Sequence, residues 1–185
     1  MPIVMNAVYV APCDVGLGLF AGRDFGRNEE ILRFSGAIIS LDEVLAKGDK
    51  QCNPLQVGDM EYMDIGAPGV LANHSCQPNA GIINDRILIA LRPILADEEI
   101  RYDYSTTMQE EIWTMPCVCG SERCRGVVGD FNDLPEDLRA EYLRLGLVQG
   151  FIVRGLAGIE AGAAAKTGGK QTTGGTTRYR EKAAG

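Results

Sequence analysis

"NHSCQPN", residues 73–79, contains the single histidine of the chain, His74, and a cysteine, Cys76, that stands 41 positions before the next one. Four readings of the stretch compete. Ser, Asn and Pro favour tight reversals, so it reads as a turn that packs its histidine. It also reads as a Cys–His nucleophile pair, although such a base and thiol usually meet from distant segments rather than across two residues of a turn. The third reading is part of a metal site, and the fourth is a loop lying against a cofactor. The residues alone leave all four open, with the packed turn the simplest.

The second informative stretch is "PCVCGSERCRG" at 116–126, where Cys117, Cys119 and Cys124 are spaced CxCx4C. A structural zinc takes four tetrahedral ligands, mostly thiolates joined by short loops. Three thiolates this close can wrap one ion and leave one corner open. No histidine lies nearby, so the fourth ligand comes from elsewhere, with Cys13, Cys52 and Cys76 as the candidates. The plain alternative is three free thiols on a loop. Two weaker signals complete the set. "GLGLF" at 16–20 has a GxG that lets backbone approach a small ligand, but it lacks the third glycine and the helix of a dinucleotide fingerprint. "EEIRYDYS" at 98–105 reads as a strand with Ile100, Tyr102 and Tyr104 on one face by the period of two.

Composition bounds what these motifs serve. A chain of 185 residues with 45% hydrophobic content is enough for one domain with a proper core. No apolar run reaches the roughly 18 to 20 residues of a membrane span, and the first residues do not read as a signal peptide. The expectation is an intracellular protein without a membrane partner, nucleus and cytoplasm being equally open. Six cysteines in that setting point to metal rather than disulfides. The net charge of −7 is uneven, because residues 161–185 carry five basic residues against one acidic one, leaving a strongly acidic body. An acidic body does not suit direct duplex binding, which needs a basic face; it suits a basic protein or peptide, although composition alone favours the simpler reading that acidity aids solubility.

Along the chain, residues 3–10 read as a strand, and "EILRFSGAIIS" at 30–40 as one or two strands bent at Gly36. Ser40 and Glu43 form a capping box that opens a short helix stopped near Gly48. The pattern from Asp49 to Gly69 is irregular. Residues 86–94 read as a strand, and 134–146 as an amphipathic helix with Leu138, Tyr142 and Leu145 inward and Gly146 as its stop. Residues 161–185 are Gly, Thr and Ala with almost no large apolar side chain, and read as a flexible low-complexity tail.

Taken in order, "GLGLFAGRDF", "LRFSGAIIS", "NHSCQPN", "EEIRYDY" and "CVCGSERCRG" resemble the SET-domain protein-lysine methyltransferases that carry a post-SET zinc-binding segment. The resemblance runs from about residue 4 to about residue 130. It implies a mainly β fold, small β-sheets around a pseudo-knot, with a C-terminal helix and the flexible tail. The organisation it implies is a SET domain at 1–115, a post-SET segment at 116–130, a helical extension at 131–160 and the tail at 161–185. It implies S-adenosylmethionine as methyl donor and a lysine-containing basic protein, such as a histone tail, as substrate. On the matching positions, Gly16, Leu17 and Gly18 hold the cofactor through backbone, and Asn73 and His74 line its pocket, His74 largely through its own backbone. Tyr104 is the catalytic tyrosine, and Tyr102 tunes the number of methyl groups toward one or two. Cys76 becomes the fourth zinc ligand beside Cys117, Cys119 and Cys124. Trp113 has no motif match and is a candidate wall of the cofactor site or the lysine channel. The chain departs from the family at Leu71-Ala72, Ala37 and Asp97, and the short insert between Ser40 and Tyr62 leaves the substrate groove weakly specified. A catalytically silent SET module that binds a partner peptide is the alternative.

Overall fold

A computed structural model of the chain describes residues 7–50 and 53–167. Its strands are short, because Gly and Pro interrupt nearly every apolar run, and they form five small sheets among the described residues. Strands β1 (Val8–Cys13) and β2 (Gly16–Ala21) make an antiparallel hairpin. Here "GLGLFA" is strand throughout, its glycines included. The stretch at 30–40 divides into β3 (Glu30–Arg33) and β4 (Gly36–Ser40), which enter different sheets. Gly36 sits where an added Cβ would lie 2.0 Å from the Asp64 carbonyl oxygen, so the chain can cross there only without a side chain.

Helix α1 (Leu41–Leu45) starts on the expected box: the Glu43 N–H donates to the Ser40 hydroxyl, and the Ser40 N–H donates to the Glu43 carboxylate. The stretch read as irregular holds two strands, β5 (Leu55–Gly58) and β6 (Glu61–Ile65), with β6 between β4 and β5. The register shift between Gln56 and Gly58 breaks the alternation that a sequence reading depends on.

Strand β7 (Asn73–His74) precedes the hairpin of β8 (Ala80–Ile83) and β9 (Ile87–Ala90), and β3 closes that sheet against β9. The 98–105 stretch is a strand only at β10 (Arg101–Tyr102), which runs parallel to β7. Tyr104 leaves it and opens a 3-10 turn at Tyr104–Thr107. Local polar groups bend the chain: the Asp103 carboxylate accepts from the Ser105 N–H at 3.1 Å, and the Thr106 and Thr107 hydroxyls donate back to the carbonyls of Asp103 and Tyr104.

Strands β11 (Met115–Pro116) and β12 (Val127–Val128) pair across the cysteine-rich segment and close its base. Helix α2 (Glu136–Leu145) ends on Gly146 at φ 68°, as expected. Helix α3 (Gly150–Thr167) overturns part of the tail reading, since it runs through residues 161–167. The alanines at 163–165 have the highest helix propensity of any residue and extend a helix already nucleated at Gly150. The remainder of that stretch, like the start of the strand read at 3–10 and like Cys52, lies outside the described residues.

The main core gathers Leu19, Phe25, Met63, Leu88, Ile94 and Ile100 between the sheets. A second cluster, centred on Phe131, Tyr142, Leu147 and Ile152, fixes α2 and α3 onto Ile83 and Leu91. A third and smaller one joins Cys76, Cys117 and Val128, with Trp113 and Tyr104 packed against it. Among the described residues no helix is long and apolar enough to cross a membrane.

Candidate active site and metal centre

The pairing of β7 with β10 brings the two decisive motifs side by side. Asn73 faces Arg101, His74 faces Tyr102, and the Ser75 N–H donates to the Tyr102 carbonyl at 3.0 Å. Asn79, at the far end of the first motif, is buried; its amide donates to the Glu99 carbonyl at 2.8 Å and accepts from the Arg101 N–H at 2.9 Å. Asn79 therefore holds the tyrosine-bearing segment in place, a role the sequence reading missed.

The GxG segment meets the same place. The Asn73 side-chain amide donates to the Leu17 carbonyl at 3.0 Å and to the Glu99 carboxylate at 2.9 Å. Gly16 has φ 115°, open only to glycine. At Gly18 a Cβ would stand 2.6 Å from the Glu99 carboxylate, which is held in turn by Arg101. Gly18→Ala will therefore cost about 1 to 3 kcal/mol of stability by overpacking, read from the shift of the urea midpoint.

One cavity of about 810 Å³ brings Leu17, Asn73 and His74 together with the tyrosines, while Gly16 and Gly18 are not among its lining residues. Leu17, Asn73 and His74 line one part of it, and Tyr102, Tyr104 and Trp113 another. Tyr102 is buried, with its ring centroid 4.9 Å from that of Tyr104. Although Tyr104 has left the strand, the two rings stay neighbours. The Tyr104 hydroxyl donates to the Ala72 carbonyl at 3.0 Å, and its ring meets His74 edge-on at 5.3 Å. Burial pushes the Tyr102 phenol well above its ordinary pKa, with the neighbouring Tyr104 and Asp103 adding to the rise.

His74 is buried, and burial brings its pKa down to about 4 despite the opposing pull of Asp103. The imidazole is neutral at pH 7, and its tautomer follows from its partners. The Tyr104 N–H donates to Nδ1 at 3.2 Å, so the proton sits on Nε2, which points at the Cys76 sulfur 3.3 Å away. A nitrogen that carries a proton has no lone pair for a metal or for taking a proton.

That geometry bears on the cysteine cluster. Sγ of Cys76, Cys117 and Cys119 and one ring nitrogen of His74 all lie within 4.8 Å of one another. The Cys76 and Cys117 sulfurs are 3.7 Å apart. A tetrahedral ion with sulfur at about 2.3 Å has sulfur–sulfur edges of about 3.8 Å, so this pair fits zinc. Cys124 lies outside the tight group. It is exposed, and its thiol points at the Cys117 carbonyl at 3.6 Å. Cys13 is directed instead to the Asn73 amide at 3.4 Å. Burial pushes the Cys76 and Cys117 thiols up. Burial acts the same way on Cys119, but hydrogen bonds, the first from the Ser121 hydroxyl, bring it down on balance. A bound dication would relieve this crowding by holding the clustered sulfurs as thiolates.

A buried ion network ties the cluster to the tyrosines. Asp103, whose side chain is 1% exposed, accepts two 2.7 Å bonds from the Arg125 guanidinium and a 3.0 Å bond from the Tyr142 hydroxyl of α2. Arg125 directly follows Cys124, and its N–H donates to the Cys76 sulfur at 3.4 Å. Arg101 adds a second tie by donating to the Cys119 carbonyl at 3.2 Å.

Residues 16–105 match the family model described as the SET domain. The chain is 34% identical over 137 aligned positions to "Histone-lysine N-methyltransferase trr" of Drosophila melanogaster, covering 65% of this chain and 6% of that protein. It is 32% identical over 127 positions to "Histone-lysine N-methyltransferase 2B" of Homo sapiens, covering 60% of this chain and 5% of that protein. It is 33% identical over 128 positions to "Histone-lysine N-methyltransferase, H3 lysine-4 specific" of Schizosaccharomyces pombe, covering 60% of this chain and 14% of that protein. The chain thus spans only a small part of the length of these relatives.

Proposed function

From the premise that residues 16–105 are a SET domain, we propose that this protein is an S-adenosylmethionine-dependent protein-lysine N-methyltransferase that acts on a basic, histone-like substrate inside the cell. The observation that carries the proposal is the shared cavity, in which the Leu17–Asn73–His74 wall and the Tyr102–Tyr104 pair face one space. The relatives named as histone-lysine methyltransferases support the substrate class.

S-adenosylmethionine, when bound, supplies a methyl group on a positively charged sulfur. Gly16, Leu17 and Gly18 offer it backbone, and Asn73 and His74 wall its pocket. The substrate lysine must lose a proton first, because an ammonium has no lone pair and a reference pKa near 10.4. An apolar channel between Tyr102 and Tyr104 disfavours the charged amine and lowers that pKa. The neutral amine nitrogen would take the methyl carbon of a bound donor as the donor's carbon–sulfur bond breaks, and the proton displaced from the nitrogen would go to water. Alignment supplies several kcal/mol of the acceleration, so a chain whose one histidine is buried and neutral can still catalyse it. The Tyr104 hydroxyl orients the amine. Tyr102 narrows the channel, which favours one or two methyl groups over three.

The residues that would hold a structural zinc are Cys76, Cys117 and Cys119, with Cys124 as the fourth once its thiol turns from the Cys117 carbonyl toward them. His74 is better suited to donate its Nε2 proton to the Cys76 thiolate than to ligate, and that hydrogen bond orients the ligand.

A labelled methyl donor mixed with the protein and a panel of basic proteins tests the proposal. The expected result is label on lysine, about one zinc per chain, and loss of transfer when a chelator strips the metal, with zinc restoring it. Transfer to no protein, together with no donor binding by calorimetry, would overturn it.

A further inference from the structure

We infer that Glu110, braced by Tyr62, receives a cationic side chain of the substrate that flanks the lysine to be methylated. This rests on the methyltransferase reading and specifies its substrate. The cavity that holds the tyrosine pair is also lined by Tyr62 and Glu110, by the polar Asn53 and Gln56, and by the aliphatic Leu41, Val44, Leu45 and Ile112. Tyr62 is only 4% exposed and donates its hydroxyl proton to the Glu110 carboxylate. The carboxylate is thus held at one oxygen by a rigid, buried donor.

Among the described residues no Lys, Arg or His forms an ion pair with Glu110. Arg101, which also lines the cavity, is committed to Glu99 and the Cys119 carbonyl. A second acid, Asp130, acts on Glu110, and its carboxylate accepts the N–H groups of both Glu110 and Glu111. One Asp130 oxygen is buried with no hydrogen-bond partner, which deepens the negative potential behind Glu110. Burial accordingly pushes the Glu110 carboxyl up, as expected for a partly desolvated acid that lacks a cation.

A half-buried carboxylate in a cavity lined in part by aliphatic side chains is costly alone and favourable once a cation docks. Leu45 and Ile112 are 51% and 56% exposed. They provide the apolar surface on which the methylene stem of an arginine or lysine packs while its head reaches the acid. An acid at this position selects basic peptides and rejects acidic ones.

The test uses the full chain and a set of lysine peptides on a neutral Gly/Ala/Ser background, with one arginine scanned through positions −4 to +4. In the unmodified protein, at least one arginine position is expected to raise kcat/KM about tenfold over the neutral peptide. In Glu110→Gln that ratio falls toward one, and in Glu110→Lys an acidic residue at the same position becomes the preferred flank. Each variant is its own control, because both peptides are measured on it. Equal kcat/KM for all peptides in the unmodified protein would overturn the inference, as would an arginine preference that survives Glu110→Lys. If no peptide is methylated at all, the methyltransferase reading has failed instead. Fluorescence anisotropy of the same peptides then still decides whether Glu110 binds the cation, by the same ratio.

Discussion

Tyr104→Phe will lower methyl transfer by about a hundredfold or more and leave the fold and the zinc content unchanged. The hydroxyl donates a hydrogen bond to the Ala72 carbonyl at 3.0 Å. Losing one such bond costs about 1 kcal/mol of stability. The ring contacts with Tyr102 and His74 survive in phenylalanine, so packing is kept. The effect on the reaction is larger. With its proton given to Ala72, the phenolic oxygen faces the cavity as an acceptor, where it would stabilise the sulfonium of the proposed donor and the positive charge that develops on the methylated nitrogen. Preorganised electrostatics of this kind contribute about 2.7 to 4 kcal/mol per group, or a factor of 10² to 10³. Single-turnover transfer, with near-ultraviolet circular dichroism as the fold control, measures it. Transfer within threefold of the parent would remove Tyr104 from the catalytic role.

Arg125→Met will destabilise the protein by about 3 to 5 kcal/mol, because it leaves the 1%-exposed Asp103 carboxylate without its counter-charge. The Tyr142 hydroxyl and the Ser105 N–H remain, but two neutral donors do not replace a bidentate guanidinium. Lysine at 125 recovers only part of the loss, since it offers a point charge where Asp103 receives two parallel bonds. Asp103→Asn combined with Arg125→Met will cost less than the two single changes added, because the charge and its partner leave together. Chemical denaturation of the four proteins measures the coupling. Additive losses would show that the pair does not act as a unit.

The contrast between these two residues marks how far the sequence could be read. Tyr104 and the cysteines stand in spaced motifs, and motif order led to them directly. The capping box of Ser40 with Glu43 and the Gly146 stop were equally legible, because they depend on neighbours within four residues. The Asp103–Arg125–Tyr142 network was not legible. Its members sit 17 to 39 positions apart, and Tyr142 looks like any inward residue on an amphipathic helix. Asn79 was passed over for the same reason: within the motif it resembles a turn residue, and only the fold gives it Glu99 and Arg101 as partners. The strand expected at 98–105 failed at Tyr104 because a period of two carries no information about hydroxyls that bend the backbone back on itself. The strands β5 and β6 were hidden by the register shift at Gln56–Gly58. The neighbours of the three later cysteines illustrate the limit well. Spacing left Cys13, Cys52 and Cys76 open, and the fold directs Cys13 to Asn73 and Cys76 to Cys117.

The parallel contact of β7 with β10 sets the order in which this protein can come into being. Its two strands lie 28 positions apart, and the cysteine segment that packs beside them arrives later still. No local stretch of the chain contains even half of the cavity wall. Loop closure over such separations is slow and is rewarded only when the partners arrive. Newly made chains therefore spend their vulnerable interval with the cavity unbuilt and the thiols of Cys76, Cys117 and Cys119 still apart and open to oxidation. Since Tyr142 must also be in place to complete the network around Asp103, a shortened version made for screening or crystallisation has to keep everything from β1 through α2.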